Sequence, residues 1–151
     1  MPRIELNQLD SQTASKSLTR AYKSLSDALN AISHLSFGDE TETKINEFIT
    51  EVNSAFGTKK LKVTLVKKRY SLVELLDKKE GLVPKNRYRN QWMILGMTVF
   101  GLPFGFIWAL SLDNFAFFSI GLPMGMPIGM AVGAIKDKKA KEEGRQLDFE
   151  A

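Results

Sequence analysis

The one dense group of side chains with a definite chemistry in this sequence is cationic. Lys59, Lys60, Lys62, Lys67, Lys68 and Arg69 fall between positions 59 and 69, and Lys78, Lys79, Lys85, Arg87 and Arg89 follow. A segment of this kind attracts phosphate and other anions, and Tyr70 and Tyr88 are placed to stack on a nucleobase. The same residue types also serve membrane topology. Lys and Arg collect on the cytoplasmic flank of membrane segments, and anionic headgroups draw them at about 1 kcal/mol each. Topology accounts well for Lys85, Arg87 and Arg89. It accounts less well for residues 59–69, which lie far upstream of the apolar region. Two readings stay open: a lipid-facing flank, and a site for an anionic ligand such as a nucleotide or a single-stranded oligonucleotide.

No other constellation suggests catalysis. His34 is the single histidine, cysteine is absent, and there is no HExxH, phosphate-binding loop or nucleophile elbow. The acids of residues 39–51 gather at an expected helix start, where capping and dipole effects account for them. The expectation is a protein that is not an enzyme and carries no metal and no cofactor.

The elements that would position the cations have an uneven charge pattern. Of the 151 residues, 1–58 hold 5 basic and 8 acidic side chains, 59–89 hold 11 basic and 3 acidic, and 136–151 hold 5 of each. From Trp92 to Ile135 the one ionisable side chain is Asp113. Trp92–Leu112 and Phe115–Ile135 are each long enough, at about 1.5 Å per residue, to cross a bilayer core of about 30 Å. Asp113-Asn114 is the natural turn between them. Lys and Arg precede the first span and follow the second, and the loop has none, so both termini are expected in the cytoplasm. No secretory signal is visible at the N-terminus, so the first apolar run is expected to act as both address and anchor.

Gly121, Gly125, Gly129 and Gly133 recur every four residues in the second span, a four-glycine zipper on one helix stripe; Gly101 and Gly105 form a shorter version in the first. In lipid, such small residues let helix backbones approach closely. The neighbour is either the first span or another subunit. Gly-Leu-Pro-Phe-Gly (101–105) and Gly-Leu-Pro-Met-Gly (121–125) are near-copies that place Pro103 and Pro123 at similar depth. These prolines are either tolerated irregularities or a hinge. Phe100 and Phe104 are candidates for a hydrophobic gate, though packing or lipid contact also accounts for them.

Upstream, Leu18, Leu25 and Ile32 recur every seven residues, with Ala14, Ala21, Ala28 and Leu35 at the alternate positions. This predicts a helix from about Leu6 to Leu35 that either self-associates or folds onto its neighbour. A second helix is expected from an Asp39 N-cap to about Phe56. Alternation in Lys60–Lys67 suggests a short strand, and Ser71–Lys79 a short helix stopped by Gly81. Pro84 would then open a juxtamembrane linker. The expected fold is therefore a mainly α membrane protein. Its cytoplasmic helical, partly coiled-coil domain with a short strand would cover residues 1–89, a two-helix transmembrane hairpin 90–135, and a cytoplasmic tail 136–151.

The stretch GLPFG, GLPMGMPIGMAVGAIKDKKAKEEGRQLDF resembles bacterial glycine-zipper two-span proteins, which implies a bacterial inner-membrane location and no particular activity. The architecture, a cytoplasmic oligomerising domain joined to a compact hairpin, resembles the membrane channel effectors of Hailong-type anti-phage defence. That resemblance implies a homo-oligomeric channel, controlled by short single-stranded DNA that a partner nucleotidyltransferase makes. The expected function is a channel or pore-forming effector gated by an anionic ligand. The alternative is a non-conducting anchor or accessory subunit of a larger membrane complex.

Overall fold

A computed structural model describes residues 2–10 and 14–150. The chain is mainly helical and divides into two compact units, Met1–Leu82 and Val83–Ala151. The boundary falls at Leu82/Val83, ahead of residue 89, because the segment after Gly81 folds with the C-terminal tail.

The first unit is a head of three helices: α1 (Lys16–Ala31), α2 (Asp39–Ser54) and α3 (Leu61–Leu75). Helix α1 starts later than the heptad pattern implies. Ser15 caps it, its hydroxyl accepting the Leu18 N–H at 3.3 Å. Residues 11–13, inside the helix expected from Leu6, lie outside the described residues. Residues 2–10 form no helix because other groups take their backbone hydrogen bonds. Asn46 accepts the Ile4 N–H at 2.9 Å and donates to the Pro2 carbonyl at 3.2 Å. Asn53 does the same for the Asn7 N–H and the Glu5 carbonyl, both at 2.9 Å. Two asparagines seven apart share one face of α2, and their amides replace a neighbouring strand. Arg3 fastens the segment further. It bonds Glu42 at 2.6 and 2.8 Å, the Leu35 carbonyl at 2.7 Å and the Ile32 carbonyl, and it lies over the Phe37 ring.

Leu25, Ala28 and Ile32 of α1 are buried, and α1 packs on α3 of the same chain. Three of the seven heptad positions, 25, 28 and 32, are thus used inside the head. The N-cap of α2 is Gly38 and not the expected Asp39: Asp39, Glu40 and Glu42 occupy the first turn, where the helix dipole favours anions. Its face of Ile45, Ile49 and Val52 is buried.

The expected strand at Lys60–Lys67 is helix. Leu61 and Leu65 fit an alternating pattern, but they are also four apart, and Leu72 extends the helical set. All three are buried, while Val63 and Val66 point outward. The short helix expected at Ser71–Lys79 is the continuation of α3, closed by a π-helical turn, Leu76–Glu80, and by Gly81 in the left-handed region. Glu80 accepts the Thr41 hydroxyl at 2.7 Å and Lys79 pairs with Glu40 at 3.0 Å, so the end of this helix is tied to the start of α2.

The second unit is built around a helical hairpin. The residues expected to be a linker and a free tail are strands: β1 (Val83–Lys85) and β2 (Gln146–Glu150) pair in parallel, with an irregularity between Pro84 and Lys85. Val83, Pro84, Leu147 and Phe149 are buried. Parallel strands need a long crossover, and here the hairpin is that crossover. The chain ascends through α4 (Arg87–Gly96), a π-helical turn (Met97–Gly101) and α5 (Leu102–Ser111). After a one-turn 3₁₀ helix, Phe115–Phe117, it returns through α6 (Phe118–Glu142).

The turn falls at Asp113-Asn114, as the residue types suggest. Asp113 has φ 47°, and the Asp113 and Asn114 N–H groups bond the Leu110 and Ala109 carbonyls, a Schellman closure. Asn114 then accepts the Ala116 N–H. Gly144 ends α6 with the same pattern on Lys141 and Ala140. The two limbs, Arg87–Ser111 and Phe115–Glu142, are long and apolar enough to cross a membrane. At 25 and 28 residues they measure about 37 and 42 Å, more than the roughly 30 Å of a bilayer core.

Candidate functional site

The hairpin seam is made of backbone. A Cβ placed on Gly129 would lie 2.0 Å from the Trp92 carbonyl oxygen; on Gly125, 2.3 Å from the Gly96 carbonyl oxygen; on Gly121, 2.2 Å from the Gly101 carbonyl oxygen; on Gly133, 2.4 Å from the Arg89 Cα. All four glycines of α6, and Gly101 and Gly105 opposite them, are buried here. The neighbour of the stripe is therefore the first limb of the same chain.

The first limb meets α6 with Gly96, Gly101, Gly105 and Ala109. The step from 96 to 101 is five residues, and the other steps are four. The π-helical turn absorbs the extra residue and returns both glycines to one stripe. Pro103 follows directly. Its missing N–H and its ring would disturb a regular α-helix around Val99, and a local π adjustment relieves that. Sequence periodicity missed Gly96 for this reason.

The stripe on α6 continues one step beyond its last glycine, to Asp137. This side chain is 8% exposed, and its carboxylate accepts the Tyr88 N–H at 3.0 Å and the Arg89 N–H at 2.9 Å. It caps the N-terminus of α4, where Asn86, in the left-handed region, makes no side-chain cap of its own. The four-residue register carried past 133 was the signal for it. Lys136 lies over the Trp92 ring at 5.2 Å and Lys85 pairs with Asp148, so both ends of the hairpin base are fastened. Lys85 holds the Asp148 carboxyl below its usual range.

Phe100 and Phe104 lie on the outside of the hairpin, 42% and 39% exposed, with Phe106, Ile107, Trp108 and Leu110. Neither phenylalanine lines a space between the two limbs, which the glycine contacts close. Pro103 and Pro123 are likewise exposed and sit within continuous helix.

In the head, α3 and the turn just before it carry the cations. Lys59, Lys60, Lys67 and Lys68 line an open hollow of about 460 Å³ with Glu51, Val63 and Thr64. Lys68 is partly neutralised there: it pairs with Glu51 at 2.5 Å and lies 4.9 Å from the Phe48 ring centre. Lys62 is exposed outside the hollow, and Arg69 is half-buried, with burial lowering its pKa. Of the six expected ligand residues the fold gathers four, and Glu51, from α2, is the member sequence reasoning did not name. Tyr70 is exposed on α3, whereas Tyr88 belongs to the hairpin unit.

Other charges are engaged. Lys78 pairs with Glu74 at 2.7 Å, which raises its pKa, and Lys44 and Lys79 hold Glu40 down to about 2. Among the described residues no group of three His, Cys, Asp or Glu side chains could hold a metal ion. Comparison with protein-family models, with curated proteins and with solved structures gives no match to this chain.

Proposed function

We propose that this chain is an integral membrane protein, with the hairpin Arg87–Ser111 and Phe115–Glu142 inserted in a bacterial cell membrane. Its head and both termini are on the cytoplasmic side, and the basic face of the head is a binding surface for anions. One observation carries the reading: the hairpin buries its glycines and turns its large apolar side chains outward. Only 22% of the most apolar stretch of the first limb and 17% of the second is covered by the rest of the chain. A surface of that kind suits hydrocarbon. The Lys and Arg flanks set the orientation. Resistance to alkaline carbonate extraction, with single cysteines in the tail reacting from the cytoplasmic side alone, is the expected result. Extraction into the soluble fraction would refute insertion.

Among functions of such a protein, we favour a membrane-anchored binding module or accessory subunit, because the seam is satisfied within one chain and asks for no second copy. A homo-oligomeric channel gated by an anionic ligand, such as a nucleotide or single-stranded DNA supplied by a partner nucleotidyltransferase in anti-phage defence, is the second reading. The π-helical turn at Met97–Gly101, with Phe100 inside it and Phe104 next to it, favours it as a deformable point in mid-span. Ion flux through liposomes holding the purified protein, with and without oligonucleotide, separates the two. The anchor reading expects no flux in either state.

A further inference from the structure

The outward face of α3 is unlike the other outward faces of the head. Val63, Val66 and Tyr70 stand 69%, 54% and 62% exposed along one line of the helix, spaced three and four apart. Lys59, Lys60, Lys62 and Lys67 surround that line, and among the described residues no ion pair engages any of the four. Glu51, the acid that lines the hollow with Lys59, Lys60 and Lys67, is paired with Lys68. Water alone gives no reason to expose two branched aliphatic residues and a tyrosine in a row. A membrane interface does. Apolar side chains enter the acyl boundary, a tyrosine sits at headgroup level, and lysine stems run along the apolar strip with their ammonium groups in the anionic headgroup layer.

We propose that this face of α3 docks the head onto the surface of an anionic leaflet. The inference rests on membrane insertion of the hairpin, which keeps the head beside a bilayer, and it assigns the anion-binding surface to lipid headgroups. The residue types favour lipid over an oligonucleotide. Valines do not read bases or phosphates, and one tyrosine offers a single stacking platform. The cations at the rim are lysines, which act as point charges, while Arg69, the side chain with a forked phosphate-binding geometry, is half-buried.

The chain has no cysteine, so single labels are clean. The test uses full-length protein in nanodiscs of phosphatidylcholine alone, or with one-third phosphatidylglycerol. An environment-sensitive fluorophore is attached at Val66→Cys or, as a control, at Lys23→Cys on α1. Emission from position 66 is expected to shift to the blue in anionic discs only, and position 23 to stay unchanged. Replacing Lys59, Lys60, Lys62 and Lys67 together by Gln is expected to abolish the shift. Each single replacement should lower the docked-to-free ratio about fivefold. Unshifted emission in anionic discs overturns the proposal, as does a response at position 66 to single-stranded oligonucleotide and not to phosphatidylglycerol. Carbonate extraction of the same labelled protein reads insertion separately, so a failed hairpin and a failed docking face give different results.

Discussion

In the head, the most deeply buried large side chains are Ile32, Ile45, Val52, Leu65, Leu72 and Leu76. In the hairpin, the buried line runs Gly96, Gly101, Gly105 and Ala109 against Gly121, Gly125, Gly129 and Gly133, and most of the leucines and phenylalanines are exposed. The head follows the rule for water: apolar area is removed from solvent at about 25 cal/mol per Å². With the insertion proposed above, the hairpin would gain nothing by hiding leucine from hydrocarbon, and van der Waals contact between backbones would hold its limbs together. One chain thus carries two differently built cores, one of large apolar side chains and one of glycine backbone, and a substitution should act differently in each.

The largest difference is expected where a side chain is added. Gly129→Leu places an entire isobutyl group where even a Cβ would stand 2.0 Å from the Trp92 carbonyl oxygen. The clash is with backbone, so no rotamer change relieves it. The limbs must part, and the loss should exceed the usual overpacking cost of about 1–3 kcal/mol. Both tryptophans, Trp92 and Trp108, lie in the hairpin, so tryptophan emission in detergent reports its opening. Helicity should persist, because the backbone hydrogen bonds of each limb lie within its own helix.

The converse experiment removes a side chain from the head. Leu65→Ala empties space at a fully buried site between α3 and its neighbours, at a cost of about 2–5 kcal/mol. Hydrogen exchange of head amides should speed up while tryptophan emission stays fixed. If emission moved as well, the division into two independently packed units would be wrong.

How far this division could be read in advance depends on the kind of signal. The apolar runs, the glycine register and the turn at Asp113-Asn114 are local, and each is found where the spacing puts it. The first limb's contribution was half hidden, since a π-helical turn shifts Gly96 out of the four-residue period. The strand expected at Lys60–Lys67 failed because Leu61, Val63 and Leu65 satisfy two periods at once, and the helical one wins through Leu72. The actual strands, Val83–Lys85 and Gln146–Glu150, depend on pairing across more than sixty residues, which no local pattern carries. The extended segment at 2–10 is likewise fixed from a distance, by Asn46, Asn53 and Glu42. Of the basic site, composition showed the lysines, but that Lys68 is spent on Glu51 and Arg69 is half-buried needed the fold.

A smaller effect tests the seam where polar chemistry enters it. Asp137→Ala removes the acceptor for the Tyr88 and Arg89 N–H groups and should cost about 0.5–2 kcal/mol, the usual range for a lost helix cap. The substitution adds no bulk, so the glycine contacts remain and fraying is confined to the first turn of α4. Faster exchange at Tyr88 and Arg89, with unchanged exchange at Gly125, is the expected pattern. Asp137→Asn, which keeps one acceptor oxygen, should lie between the two.

The smallest effect distinguishes the units by acid. In the head, Arg3 lowers the Glu42 pKa, chiefly by hydrogen bonding, and Lys44 and Lys79 lower that of Glu40 to about 2, from a usual 4.5. A depressed carboxyl stabilises the fold above its unfolded value, and that contribution is lost as pH falls through the folded one. The head should therefore loosen as pH drops from about 4.5 towards 2, starting at the ends that Arg3 and Lys79 fasten. Glu40 is fully exposed and salt screens it, so most of the effect belongs to the partly buried Arg3–Glu42 pair, at about 1 kcal/mol. Glu42→Gln should remove this part of the pH dependence and lower stability at neutral pH by a similar amount. The hairpin limbs meet through uncharged backbone contact, so their tryptophan emission should follow acid only at the base, where Lys85 pairs with Asp148 and Arg145 with Glu143. An acid transition in the limbs matching that of the head would mean that charge, and not glycine contact, closes the hairpin.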